Sequence, residues 1–272
     1  MSAPSAPAAP PSWWGSFHVP LGGAARWRIG PLQMMVRRQP WAWSVTTCNV
    51  GPWDDPNLSV AEPCAPDEPD PPGARQHRFT FGETADPLQL DPRLPDRTVV
   101  ATSPAPFHLL PGEDCLSFVS VPLWMAIRVG PDKKLAIELP IKRPPDTWLG
   151  PNTMEGQLCY GSRDPLQQVA ARVPGLSHRA TIPLRLVNRS SATFQLDRVR
   201  VPVPNLSLWA GADGRLWTPT VTVQVERGGQ AGVELAGGAP EVAGPCGLLA
   251  SARQESGGMV RAIHTLSAMF GR

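Results

Sequence analysis

The sequence predicts an all-β protein: two antiparallel β-sandwich-like units followed by a short C-terminal helix. Three observations carry this. The 272-residue chain holds 34 prolines, and each interior proline costs a helix about 3 kcal/mol. Short runs of alternating apolar and polar residues recur along it, with Trp, Val, Leu and Ile at alternate positions. Gly, Pro, Asn and Asp punctuate those runs at turn spacing. The same bulky apolar residues exclude a disordered chain, because they supply enough surface for a packed core.

Taken in order, residues 1–12 read as an Ala/Pro/Ser leader lacking the cationic start and apolar stretch of a signal peptide. A first β unit is expected over 13–173. Strands are predicted at 26–29, 32–36 and 41–45, the last with Trp41, Trp43 and Val45 sharing one core-covering face. Residues 51–76 read as an acidic, proline-rich inserted loop, solvated and partly disordered, with no basic residue from 51 to 73. Further strands are expected at 98–101, 107–110, 115–121, 123–129 and 135–139. Pro122 marks an edge or a bulge there.

A second, immunoglobulin-like unit is expected over 174–272. Its first strand, 179–188, puts Ala180, Ile182, Leu184 and Leu186 on one face, and 193–201 is expected to return beside it after an Asn188 turn. An Asp213-Gly214 hairpin joins 206–210 to 216–225. Residues 228–258 read as Gly/Ala-rich linker. Val260, Ile263, Leu266 and Phe270 fall at helical spacing in a tail of about three turns, too short to hold without docking.

The net charge is +2, and 22 of the 25 basic residues are Arg, a skew that fits the coding bias of a GC-rich genome. So balanced a charge argues against nucleic acid as a partner. Arg26, Arg28, Arg37 and Arg38 do intermingle with Trp27, Trp41 and Trp43. On alternating strands, however, that pattern is an arginine row over a tryptophan-lined core. No stretch reaches the roughly 18 apolar residues of a membrane span. Five scattered cysteines without a CxxC read as reduced thiols, hence a cytoplasmic protein. The five histidines are equally scattered, and Asp54-Asp55 and Asp67-Glu68-x-Asp70 lack the donor alternation of a calcium loop. No metal and no cofactor are expected. Gly-x-Ser-x-Gly, phosphate-loop and dinucleotide fingerprints are absent from the sequence.

The best site candidate is the segment 140–157, read as long and irregular and running along the junction between the two units. It offers Asp146, Thr147, Asn152 and Glu155 as polar groups, Trp148 as a flat apolar surface, and Tyr160 just beyond. Asp146 and Glu155 are the residue types of an acid/base pair. The plainer reading has the polar residues bonding local turns and Trp148 plugging the junction.

Four stretches together carry a family resemblance: Arg26-Trp-Arg-Ile-Gly-Pro-Leu, the run from Pro145 through Trp148, Gly150, Asn152 and Glu155 to Tyr160, Val201-Pro-Val-Pro-Asn-Leu-Ser-Leu, and Gly214-Arg-Leu-Trp-Thr. They resemble an archaeal and bacterial domain-of-unknown-function family, number 432, from about Trp13 onward. The resemblance brings no catalytic residue with it. It implies an accessory or regulatory role beside a membrane channel-like protein. The expectation is therefore a non-catalytic, soluble interaction protein that binds a protein partner or a small ligand at the junction, without inserting in a membrane. The alternative is a hydrolase or carbohydrate-active enzyme using Asp146 and Glu155.

Overall fold

A computed structural model describes residues 12–150, 155–162, 166–226, 230–255 and 264–265. The expected leader, apart from Ser12, and Asn152 lie outside the described residues. The first strands are β1 (Gly15–Phe17), β2 (Ala24–Ile29), β3 (Leu32–Gln39), β4 (Ala42–Asn49), β5 (Leu58–Cys64), β6 (Arg75–Thr80) and β7 (Leu88–Arg93). Next come β8 (Val99–Leu109), β9 (Asp114–Pro122), β10 (Trp124–Val129), β11 (Lys134–Pro140), β12 (Asp146–Leu149) and β13 (Gln157–Ser162). The remainder are β14 (Arg179–Asn188), β15 (Phe194–Val201), β16 (Leu208–Gly211), β17 (Leu216–Trp217), β18 (Val221–Val225), β19 (Gln230–Leu235), β20 (Cys246–Ala250) and β21 (His264–Thr265). Apart from three short 3₁₀ turns, the described chain is all β.

The strands form sheets ordered β5-β2-β3-β4-β6, β1-β7-β10-β11, β12-β13-β8-β15 and β20-β16-β17-β14-β18-β19-β21, the last with β9 along the other side of β14. One contiguous apolar core touches all four, from Trp27 and Val45 through Leu90 and Ile127 to Val99, Val199, Ile182 and Val223. Trp13, Trp27 and Trp43 are its largest buried rings. The β9–β14 and β8–β15 ladders run across the expected 173/174 boundary.

Several expectations are corrected. The turn at Asn188 exists, its side-chain amide donating to the Leu109 and Ala192 carbonyls, but β14 and β15 do not pair. β15 lies antiparallel to β8, while β14 pairs with β9, β17 and β18. The chain thus crosses between sheets, because a long apolar strand finds its neighbours by burial, not by sequence order. Trp41 leaves the face of Trp43: with Pro40 it forms the two-residue β3–β4 turn, and its ring is exposed. The 228–258 stretch carries β19 and β20, which pair with β18 and β16. Within the tail, His264 and Thr265 are extended and pair with Gln230 and Ala231, and no helix is described; the rest of 256–272 lies outside the described residues.

The acidic insert is also more ordered than expected. Its middle is β5, which joins the first sheet beside β2 through a bulge at Ala61, whose φ is 52°. Its acids close over the arginine row: Arg28 to Asp55 at 2.5 Å, Arg26 to Glu68 at 2.8 Å and Arg37 to Asp70 at 2.8 Å.

Proline punctuation behaves as expected at Pro122, which ends edge strand β9, with Phe118 spending both backbone groups on Gln167. That makes Phe118–Pro183 a non-hydrogen-bonded pair of the β9–β14 ladder. Pro183 therefore turns its missing N–H to β14's other side, into the gap where β17 ends at Trp217 and β18 begins at Val221.

Candidate functional site

Within the candidate segment, Asp146–Leu149 is a strand paired with Gln157–Ser162, where an irregular run was expected. β12 and β13 pair antiparallel with Asp146 opposite Tyr160, Thr147 opposite Cys159, Trp148 opposite Leu158 and Leu149 opposite Gln157. Alternation splits the residues between two faces. Leu149 and Cys159 turn to Val100 in a small buried cluster. Asp146, Trp148, Leu158 and Tyr160 share the other face.

Two glycines make the hairpin end. A Cβ on Gly156 would stand 2.6 Å from Trp148 Nε1, and one on Gly150 would collide with the Glu155 carbonyl. The Trp148 ring thus lies along backbone that only glycine leaves open. It is 45% exposed, so it plugs no junction.

Asp146 and Glu155 are not brought together. Asp146 sits at the base of the hairpin and Glu155 beyond its far end, two residues before Gln157. At about 3.3 Å per strand residue this sets their backbone positions roughly 10–16 Å apart along the hairpin, at opposite ends of it and not side by side as a carboxylate pair would be. Asp146 is instead committed to arginine: both its oxygens accept from Arg143 Nη2, at 2.8 and 2.9 Å, and Oδ1 also faces Arg97 at 3.4 Å. The contact with Asp146 pushes the Arg143 guanidinium above its ordinary range.

Tyr160, the chain's one tyrosine, is buried behind this pair. Arg97 and Arg143 stand over its ring at 5.3 and 5.6 Å, Trp124 packs at 5.3 Å, and its hydroxyl donates to Asp96 at 2.9 Å. Burial, then the Asp96 bond, raise the phenol's pKa. A phenol so held keeps its proton and serves as a brace.

Sequence reasoning missed Asp96, Arg97, Trp124 and Arg143. Arg143, three residues before Asp146, could have been read from spacing. The other three arrive from strands or loops more than twenty residues away and leave no local signal. Among the described residues, no three of His, Cys, Asp and Glu stand together as metal ligands.

The profile of a family described as a protein of unknown function, DUF432, matches residues 13–269. The chain belongs to that family. The match spans every described sheet of the DUF432 fold, including the acidic insert and the 145–160 hairpin. No curated protein and no solved structure matches the chain.

Proposed function

We propose that this DUF432 protein is a cytoplasmic, non-catalytic interaction module that binds an extended segment of a partner protein along the free edge of β12. The observation that carries this is the exposed apolar pair of Trp148 on β12 and Leu158 opposite it on β13, 45% and 43% exposed, with β12 pairing only with β13 among the described residues. An edge strand presents unpaired N–H and C=O groups, and a large aromatic beside it gives an added strand something to pack on. Thr147 stands on the opposite face of the same strand. The ion-paired state of Asp146 supports binding over acid/base chemistry. Among the described residues no helix is long and apolar enough to cross a membrane. A membrane channel-like protein, the partner class that the family resemblance brings with it, would therefore meet this chain from outside the bilayer.

The test is crosslinking and affinity capture from the native host with the wild type, Trp148→Asp, and Leu248→Asp as control. Leu248 is as exposed as Trp148 but lies on β20. A partner held by the wild type and the Leu248 variant and lost with Trp148→Asp supports the reading. Recovery that ignores Trp148→Asp, in a variant whose melting is unchanged, sinks it.

A further inference from the structure

We infer that the cleft between the first sheet and the 139–143 segment is a binding site for a small organic oxyanion, a carboxylate or phosphate ester, held by Arg75 and Lys142. The cleft has a volume of about 680 Å³, within the usual range for small-molecule sites. One wall is the inward face of the first sheet. Leu32, Met34, Val36 and Val45 lie on that face and are buried. Pairing of Thr47 with Arg75 and of Val45 with His77 continues the same face outward onto edge strand β6. Where the core runs out, the sheet therefore turns cations inward into the cleft. The opposite wall is the end of β11 and the residues after it, with Leu139, Lys142 and Arg143.

The charge of this cleft is one-sided. Among the described residues its lining holds Arg75, Lys142, Arg143 and His77 and no Asp or Glu. Arg143 is already engaged by Asp146. Neither Arg75 nor Lys142 has an ion-pair partner among the described residues, whereas Arg26, Arg28, Arg37 and Arg38 of the same sheet each have one. A concave site of one sign focuses the field on its contents. A guanidinium fork and an ammonium on opposite walls suit an oxyanion between them. Leu32 and Leu139 supply apolar contact for a carbon skeleton, which is why the ligand is an organic anion. This site is separate from the β12 edge, and either proposal stands if the other fails.

Lys142, on the cleft wall while Lys133 and Lys134 are not, gives the test its position. Binding of glycerol phosphate and of succinate is measured by calorimetry, with choline as the cationic control. The readings are repeated with the Arg75→Gln/Lys142→Gln double variant. Acetylation of Lys142 in the wild type is followed by mass spectrometry with and without ligand, against Lys133 and Lys134 as internal references. Expected are saturable binding of one or both anions and none of choline, a loss of about tenfold or more in the double variant, and slower acetylation of Lys142 alone. Binding of only one anion identifies the head group. The proposal is overturned by absence of saturable binding to both anions, by equal affinity in a folded double variant, or by binding that leaves Lys142 unprotected.

Discussion

The two sides of the first sheet carry the same kind of charge and treat it in opposite ways. On the outer face, Arg26, Arg28 and Arg37 are covered by the 51–73 insert, which supplies a carboxylate to each and adds the Pro66 and Glu68 carbonyls to Arg37. Along the inner rim, Arg75 faces Lys142 of the opposite wall across a cleft with no carboxylate among its described lining residues. Arg75 shares residue type and sheet with the outer row; the placement of the acids differs. An arginine with its counter-charge built in is part of the fold, and one without it is available to something else. The outer row thus reads as a clasp and the inner rim as a site.

The clasp has a hard point where the largest effect is expected. Gly30, at φ +53°, forms the β2–β3 turn, and the buried His178 ring lies where a Cβ would go. His178 Nε2 meets the Trp53 carbonyl at 2.9 Å, and Arg179 stacks 4.7 Å over the Trp53 ring. Strand β14, the turn and the insert are therefore joined at one place. Gly30→Val forces a branched side chain into an unfavourable backbone region and into that ring. The expected loss is about 3 kcal/mol or more, read as a lower urea midpoint, with earlier proteolysis in the insert. A midpoint within error of the wild type would show that this contact does not hold the clasp.

A second effect follows from the same histidine. Burial holds the His178 pKa below its ordinary 6.5, and the Arg179 charge adds to this, against the Trp53 carbonyl, Asp55 and Asp54. Its Nδ1 is buried with no partner among the described residues. With a depressed folded value, the contribution is fully present above the unfolded value and is lost as pH falls through 6.5 toward the folded value. Asp55 is also depressed, chiefly by the Asn57 backbone N–H and then by Arg28, but its stabilisation fades only in the acid range below its ordinary 3.8. Stability measured between about pH 5 and 7 should therefore fall toward acid in the wild type, and His178→Gln should flatten that slope. An unchanged slope would assign the dependence to another group.

What was legible in the sequence follows from how far each signal reaches. Alternation found Trp27 and Trp43 in the core and Arg26 and Arg28 opposite, because strand period is a local property. It misplaced Trp41, since turn residues Pro40 and Trp41 continue the same alternation. The Asp213-Gly214 hairpin was legible from two residues, Gly214 taking a φ of +80°. The insert was not: Asp55 and Glu68 find Arg28 and Arg26 across 27 and 42 residues, and no local window contains both partners. At the candidate site the run 145–160 stood out correctly as unusual. Its glycines proved to be steric necessities around Trp148, and its acid an arginine partner. The cleft cations were invisible because Arg75 and Lys142, far apart in sequence, come together only as facing walls of one cleft.

The smallest expected effect tests the comparison most directly, by neutralising one arginine from each side. Arg26 pairs with Glu68 while both are about one-third exposed, so Arg26→Gln should cost no more than about 0.5 kcal/mol after solvent screening. Arg75→Gln should cost nothing measurable, and relief from the nearby Lys142 and Arg143 charges should offset any lost packing. The double variants decide the matter. Coupling between Arg26→Gln and Glu68→Gln should be positive and should vanish at high salt. Arg75→Gln combined with Lys142→Gln should be additive or slightly stabilising. If Arg75→Gln proves the more destabilising of the two single changes, the inner rim is holding the fold together. The distinction between clasp and site then fails, because a cation that stabilises the unliganded protein already has its counter-charge.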